Sequence, residues 1–138
     1  MPRGPPQGPP ILGRRSARIA PFKKEAVLIE LVIEGRTIGT WSVLAVSGEL
    51  DLATAPGLRE RVREMTPDGP LKVALDLTQV GFVDSSGLGA IVACLKHVRE
   101  LGGDLVLAAP DASPVAKLLS LTGLEPSIAR VQTVDDLR

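Results

Sequence analysis

The chain has 138 residues, of which 44% are hydrophobic and 23% are charged, so it is long enough to bury one core but short for two domains. Residues 1–24 carry six Arg or Lys and no acid, which leaves residues 25–138 acidic although the net charge of the whole chain is zero. An acidic folded region in a chain with three aromatic residues argues against direct nucleic-acid binding, which uses cationic side chains and aromatic stacking.

Residues 1–24 differ in composition from everything that follows. They hold six of the twelve prolines and no periodic apolar pattern, so we predict a disordered basic tail, followed by one domain over residues 25–138. The tail could touch nucleic acid or an anionic membrane, but scattered charges without amphipathic spacing favour a solvated tail. The chain has no apolar stretch of signal-peptide or membrane-span length, so we expect a cytoplasmic protein that makes no membrane contact.

After the tail, the pattern is that of two strands and then of alternating helices and strands. The first two predicted strands are joined by a short connection rich in turn residues, so we expect them to pair as an antiparallel hairpin. The strand-helix-strand units that follow predict right-handed crossovers and a mostly parallel sheet. The predicted elements are strands at 27–33 and 41–47, a loop at 48–51, a helix capped by Thr54, a core strand at 72–77, a helix from Ser86 to Gly102, a strand at 105–109, a helix from Pro114 to about 122, a strand near 128–133 and a helical stub at 134–138.

The stretch that the other elements support is residues 84–89, Asp-Ser-Ser-Gly-Leu-Gly. It lies where an apolar run, residues 71–83, stops and a helical period begins. Asp and Ser at this point accept hydrogen bonds from the first helix N–H groups, and the helix dipole favours negative charge there. A hydroxyl held in this way is exposed and able to carry a phosphate. The simpler alternative is that the stretch is a helix cap and nothing more.

The residues needed for several kinds of catalysis are missing. His97 is the only histidine, and it follows Ser86 by eleven residues, or about 16 Å along a helix, which is too far for a general base. One histidine and one cysteine give no zinc site, and the glycine motifs of nucleotide loops are incomplete. Glu49 and Asp51 could act as acid and base, but they lack companion groups. We therefore predict no catalytic residue, no metal, no cofactor and no enzymatic activity.

Several segments together resemble, in order and spacing, the STAS domain of bacterial anti-sigma-factor antagonists. The resemblance covers about residues 26–138. It implies an α/β fold with a single STAS-like domain, in which a mixed, mostly parallel sheet with an N-terminal antiparallel hairpin packs against helices. The matching segments are Gly48–Asp51, Leu75–Leu77, Val83–Gly89, Gly102–Leu107, Ser113–Leu119 and Thr122–Leu124.

The resemblance implies a phosphorylation-controlled partner switch. Such proteins bind an anti-sigma factor that is also a serine kinase; the kinase inactivates them by phosphorylation, and a serine phosphatase resets them. The acceptor corresponds to Ser85, and the protein is expected to be a monomer or a weak dimer. The alternative is a non-phosphorylated STAS scaffold subunit of a signalling or transport assembly, and weak nucleotide binding stays open. The resemblance places the partner-binding face at Glu49, Asp51, Asp84, Ser86 and Gly87.

Overall fold

The computed structural model describes residues 14–18, 30–67 and 71–137. Within these ranges, a six-stranded sheet is combined with three α-helices and two short 3-10 helices. The elements are β1 (Arg14–Arg18), β2 (Glu30–Ile38), β3 (Trp41–Leu50), α1 (Ala55–Met65), β4 (Lys72–Val83), α2 (Ser85–Glu100), β5 (Asp104–Ala108), α3 (Pro114–Thr122), a 3-10 turn (Glu125–Ser127), β6 (Arg130–Val131) and a second 3-10 turn (Val134–Leu137).

The strands lie in the sheet in the same order as in the sequence, β1 to β6. β2 is antiparallel to both β1 and β3, whereas β3, β4, β5 and β6 are mutually parallel. α1 and α2 provide the crossovers from β3 to β4 and from β4 to β5. The predicted fold, a mixed and mostly parallel sheet that begins with an antiparallel hairpin, is confirmed.

The hairpin turn is tighter than the sequence indicated. Its loop is Gly39–Thr40, and Gly39 has a φ of +59°, a conformation that glycine adopts without steric cost. Gly35, which also lies in the predicted connection between the two strands, is inside β2 opposite Leu44. The β2–β3 pairing continues past Gly35 to Ile38 and Trp41, so the chain does not turn at Gly35.

The first strand is a departure from the disordered tail predicted for residues 1–24. Arg14–Arg18 forms β1, which pairs with β2 so that Arg14 lies opposite Glu34 and Arg18 opposite Glu30. An uncovered edge of β2 offers unpaired N–H and C=O groups, and backbone pairing there depends little on the composition of the added segment. The remaining tail residues, and residues 27–29 of the first predicted strand, lie outside the described ranges.

The other differences are at the ends of elements. β3 continues to Leu50, so most of the predicted loop at 48–51 belongs to the strand, although the register shifts at two points near its end. β4 is one long strand to Val83 rather than a strand that stops at residue 77. α2 begins at Ser85, one residue earlier than predicted, and the last strand shrinks to Arg130–Val131.

Both faces of the sheet bury apolar side chains. On one face, α1, α2 and α3 cover the larger cluster, whose fully buried members include Leu44, Leu75 and Leu107. Side chains alternate between the two faces of a strand. Those that point to the opposite face, among them Val43, Ala74 and Val106, form a smaller cluster with Val134 of the C-terminal 3-10 turn. Within the described ranges, none of the helices is long and apolar enough to cross a bilayer.

Leu75 tests the packing of the larger cluster. It lies in the central strand β4 and is 0% exposed, so Leu75→Ala should leave a cavity and lower the free energy of unfolding by about 2–5 kcal/mol. Urea denaturation followed by circular dichroism measures the change. Leu121→Ala is the matched control, because Leu121 is 82% exposed and its truncation should change stability by less than about 0.5 kcal/mol. Equal losses for the two variants would contradict the assignment of the core.

Candidate functional site

The site is built at the junction between β4 and α2. β4 ends at Val83, and Asp84 is extended, with φ −114° and ψ −171°, which is the conformation of a helix N-cap. The Gly87 N–H donates to Asp84 Oδ1 at 2.9 Å, and the Leu88 N–H donates to the Asp84 carbonyl at 2.9 Å. Asp84 therefore caps the helix, and its carboxylate is half-buried in that role.

Ser85 and Ser86 are the first two residues of α2. Ser85 is exposed and Ser86 is half-buried. Their position places the hydroxyls at the positive end of a 16-residue helix, where N–H groups of the first turn have no intrahelical acceptor. Because Asp84 supplies the cap, the Ser85 hydroxyl is left for other chemistry.

The loop between β3 and α1 lies beside this turn. The Asp84 N–H donates to the Leu50 carbonyl at 3.2 Å, which ties the start of α2 to the end of β3. Glu49 is exposed and pairs in register with Phe82, just before the junction. The structure thus brings Glu49, near the end of β3, and Asp51, in the loop, to the same end of the sheet as Asp84.

Asp51 and Thr54 hold the loop in one shape. Asp51 Oδ1 accepts hydrogen bonds from the N–H groups of Ala53 (3.0 Å) and Thr54 (3.1 Å). The buried Thr54 hydroxyl donates to the Glu49 carbonyl at 2.7 Å and accepts from the Asp51 N–H at 3.0 Å. Thr54 occupies the N-cap position of α1 as predicted, but its side chain makes no cap hydrogen bond to the helix and instead closes the loop.

Gly87 is buried against the same loop. A Cβ at this position would overlap the Leu50 carbonyl oxygen and would lie 2.9 Å from both the carbonyl carbon and Cγ of Leu50. Gly89, two residues further along the helix, is exposed and has open space where its Cβ would be. The first glycine therefore lets α2 approach β3 closely, whereas nothing in the described structure requires the second.

Groups that could make the serines catalytic lie elsewhere. His97 is near the far end of α2, where its Nε2 is 2.8 Å from the Thr66 hydroxyl. Cys94 is buried, and burial raises the pKa of its thiol to about 12, a shift that Arg59 and Arg63 oppose. Such a thiol is protonated and unreactive at neutral pH. Among the described residues, no group of three or more His, Cys, Asp and Glu could hold a metal ion.

Sequence reasoning did not single out two exposed apolar side chains at this end of the sheet. Leu52 is 75% exposed in the loop, and Phe82 is 47% exposed near the end of β4. The sequence signal for Leu52 is weak, because an apolar residue beside a helix start is usually buried. For Phe82 the period of two gave no reliable signal either, because the alternation of β4 breaks near its end, where Gly81 and Phe82 are both exposed.

The chain resembles proteins of one family. The STAS domain model matches residues 30–137. An anti-sigma-B factor antagonist from Staphylococcus aureus is 34% identical over 98 residues, which cover 70% of this chain and 89% of that protein. Its counterpart from Listeria monocytogenes is 34% identical over 83 residues, which cover 60% of this chain and 72% of that protein.

A solved structure agrees with these sequence matches. The crystal structure of an anti-sigma factor antagonist from Mycobacterium paratuberculosis superimposes with a TM-score of 0.64 at 30% identity. The match covers 77% of this chain and 89% of that one. The likeness therefore extends over nearly the whole length of the other protein.

The packing of Gly87 gives a direct test of the site geometry. Gly87→Ala forces the helix away from Leu50 and should lower the free energy of unfolding by about 1–3 kcal/mol. Gly89→Ala is the control, and it should be neutral or raise stability by up to about 1 kcal/mol, because alanine favours the helix. Urea denaturation of both variants measures the difference. Equal tolerance at the two positions would contradict the close approach of α2 to β3.

Proposed function

This chain belongs to the STAS domain family, and from that premise we propose that it is an anti-sigma-factor antagonist switched by phosphorylation of Ser85. In the unphosphorylated form it binds an anti-sigma factor with serine kinase activity, and phosphorylation releases that partner. A serine phosphatase restores the binding form. The protein acts as a regulator in the cytoplasm rather than as an enzyme, as a monomer or weak dimer.

One observation carries the proposal: Ser85 is exposed at the start of α2 while Asp84 performs the capping. A serine that is not needed for the fold can accept a phosphoryl group without loss of structure. The single histidine, His97, bonds Thr66 at a distant point on α2, so it does not pair with Ser85 as the base of a nucleophilic serine. Ser85 therefore fits the role of substrate of a kinase. The names of the relatives, antagonists of an anti-sigma factor, support the same class of partner.

The chemical step is an ordinary phosphoryl transfer. The Ser85 oxygen attacks the γ-phosphorus of ATP, and the bond to the bridging oxygen breaks as ADP leaves. The hydroxyl proton passes to a base supplied by the kinase. The product carries about 1.5 to 2 additional negative charges and three acceptor oxygens.

The local electrostatics explain why such a product would lose its partner and keep its fold. A helix N-terminus favours an anion, so the phosphate does not unfold α2. The carboxylates of Glu49, Asp51 and Asp84 lie at the same end of the sheet, so the phosphate adds charge to a surface that is already acidic. A partner docked there must then desolvate that charge. A hundredfold loss of affinity requires only about 2.7 kcal/mol.

The transfer itself can be followed by intact mass. The chain is incubated with ATP and each anti-sigma serine kinase encoded in its source genome, beside Ser85→Ala and Ser86→Ala. We expect the parent and Ser86→Ala to gain one phosphate and Ser85→Ala to gain none. A gain by Ser85→Ala would place the acceptor elsewhere. No gain by the parent with any kinase would favour the scaffold subunit, in which Asp84 and Ser85 only cap the helix.

Binding is tested separately from transfer. Ser85→Glu adds a negative charge and should weaken binding of the same kinase by about a hundredfold, whereas Ser85→Ala should bind as the parent does. Isothermal titration calorimetry without ATP measures both. Equal affinity of Ser85→Glu and the parent would contradict the switch.

A further inference from the structure

Two exposed apolar side chains, Leu52 and Phe82, lie at the end of the sheet that carries Ser85. Among the described residues, three large apolar side chains are well exposed: Leu52, Phe82 and Leu121. Single exposed apolar residues are ordinary on protein surfaces, and Leu121 on α3 is of that kind. Leu52 and Phe82 differ, because both lie within three residues along the chain of a predicted partner-binding residue, at the end of the sheet that carries Ser85.

Leu52 is held outward by a rigid turn. The hydrogen bonds from Ala53 and Thr54 to Asp51 Oδ1 fix the backbone on both sides of Leu52. The loop is fixed in turn to α2 by the contact between Asp84 and Leu50. The Leu52 side chain is nevertheless 75% exposed, so it contributes little to the core. A rigidly presented apolar side chain loses little backbone entropy when it enters a pocket.

Phe82 is presented by the sheet itself. It lies in β4 opposite Glu49 in β3, so the two side chains share one face of the sheet. Gly81 precedes it and is also exposed, with open space where its Cβ would be. Aromatic side chains in such positions bury a large area on binding and often dominate the energy of an interface.

The charges around the pair indicate what kind of surface fits. Glu49 is exposed, and Asp51 and Asp84 are half-buried at the same end of the sheet. An apolar centre with a charged rim is the usual arrangement of a protein interface. The complementary surface therefore has apolar pockets bordered by Lys or Arg.

We propose that Leu52 and Phe82 are the apolar anchors with which this chain binds its anti-sigma kinase, and that the neighbouring carboxylates select a basic rim on that kinase. This inference rests on the proposed function. It adds two anchor residues and the chemistry of the partner's surface. It also explains the action of the phosphate: anchors must be desolvated to bind, and a dianion on Ser85 opposes removal of water from this end of the sheet.

The experiment compares apolar truncations inside and outside the surface. Leu52→Ser, Phe82→Thr and the control Leu121→Ser are titrated with the kinase that phosphorylates the parent chain. We expect Leu52→Ser and Phe82→Thr each to weaken binding about tenfold or more, and Leu121→Ser to bind within about twofold of the parent. Thermal unfolding is recorded for each variant. The two leucine variants should melt near the parent, whereas Phe82→Thr should melt somewhat lower, because about half of the Phe82 side chain is buried, and binding is measured well below its melting temperature.

The kinetics of phosphorylation provide a second readout. Loss of a docking contact should raise KM for the chain and leave kcat nearly unchanged, whereas a distorted acceptor would lower kcat.

Parent-like affinity of Leu52→Ser and Phe82→Thr would overturn the inference while leaving the proposed function intact, and so would equal weakening by Leu121→Ser. If the parent itself neither bound nor accepted phosphate from any kinase, the proposed function would fail and the anchors with it.

Discussion

The backbone carbonyl of Leu50 is the point on which the rest of the site depends. It accepts the Asp84 N–H at the end of β4, and it lies so close to the first turn of α2 that only glycine fits at residue 87. This one oxygen therefore fixes the end of β3, the start of α2 and the loop between them in a single arrangement. The surface around Ser85 has a defined geometry because three elements meet at one backbone contact.

Asp84 and Asp51 hold the site together by hydrogen bonds, so the fold does not depend on the Ser85 hydroxyl. Asp84 caps α2, and Asp51 organises the neighbouring loop, so both carboxylates form hydrogen bonds within the chain. The helix dipole offsets part of the cost of a new anion, by about 0.3–1 kcal/mol, whereas the nearby carboxylates raise that cost. These opposing effects favour a modification that changes the surface and spares the core.

Much of the fold followed from local patterns, and the parts that did not follow depend on tertiary pairing. The apolar periods located all three α-helices, and Asp84 and Ser113 cap their helices as those residue types predict. β1 was not predictable, because Arg14–Arg18 has no apolar alternation and gains its strand from the edge of β2. The loop at 48–51 became strand for the same reason, as β4 continues beside it to Val83. At the site, the motif indicated Ser85, but the contact of Gly87 with Leu50 depends on residues far apart in sequence.

The two borders of the sheet have a consequence for how the molecule behaves at high concentration. Open strand borders invite other chains to add to a sheet, and proteins commonly prevent this with short or charged border strands. In the part of the chain that the structure describes, one border is β6, which has two residues, and the other is β1, whose five residues include three arginines. Neither is a good template for fibrous self-association. Borders of this kind therefore disfavour edge-to-edge pairing between copies of the chain, so the sheet can stay separate even where the molecules are crowded together.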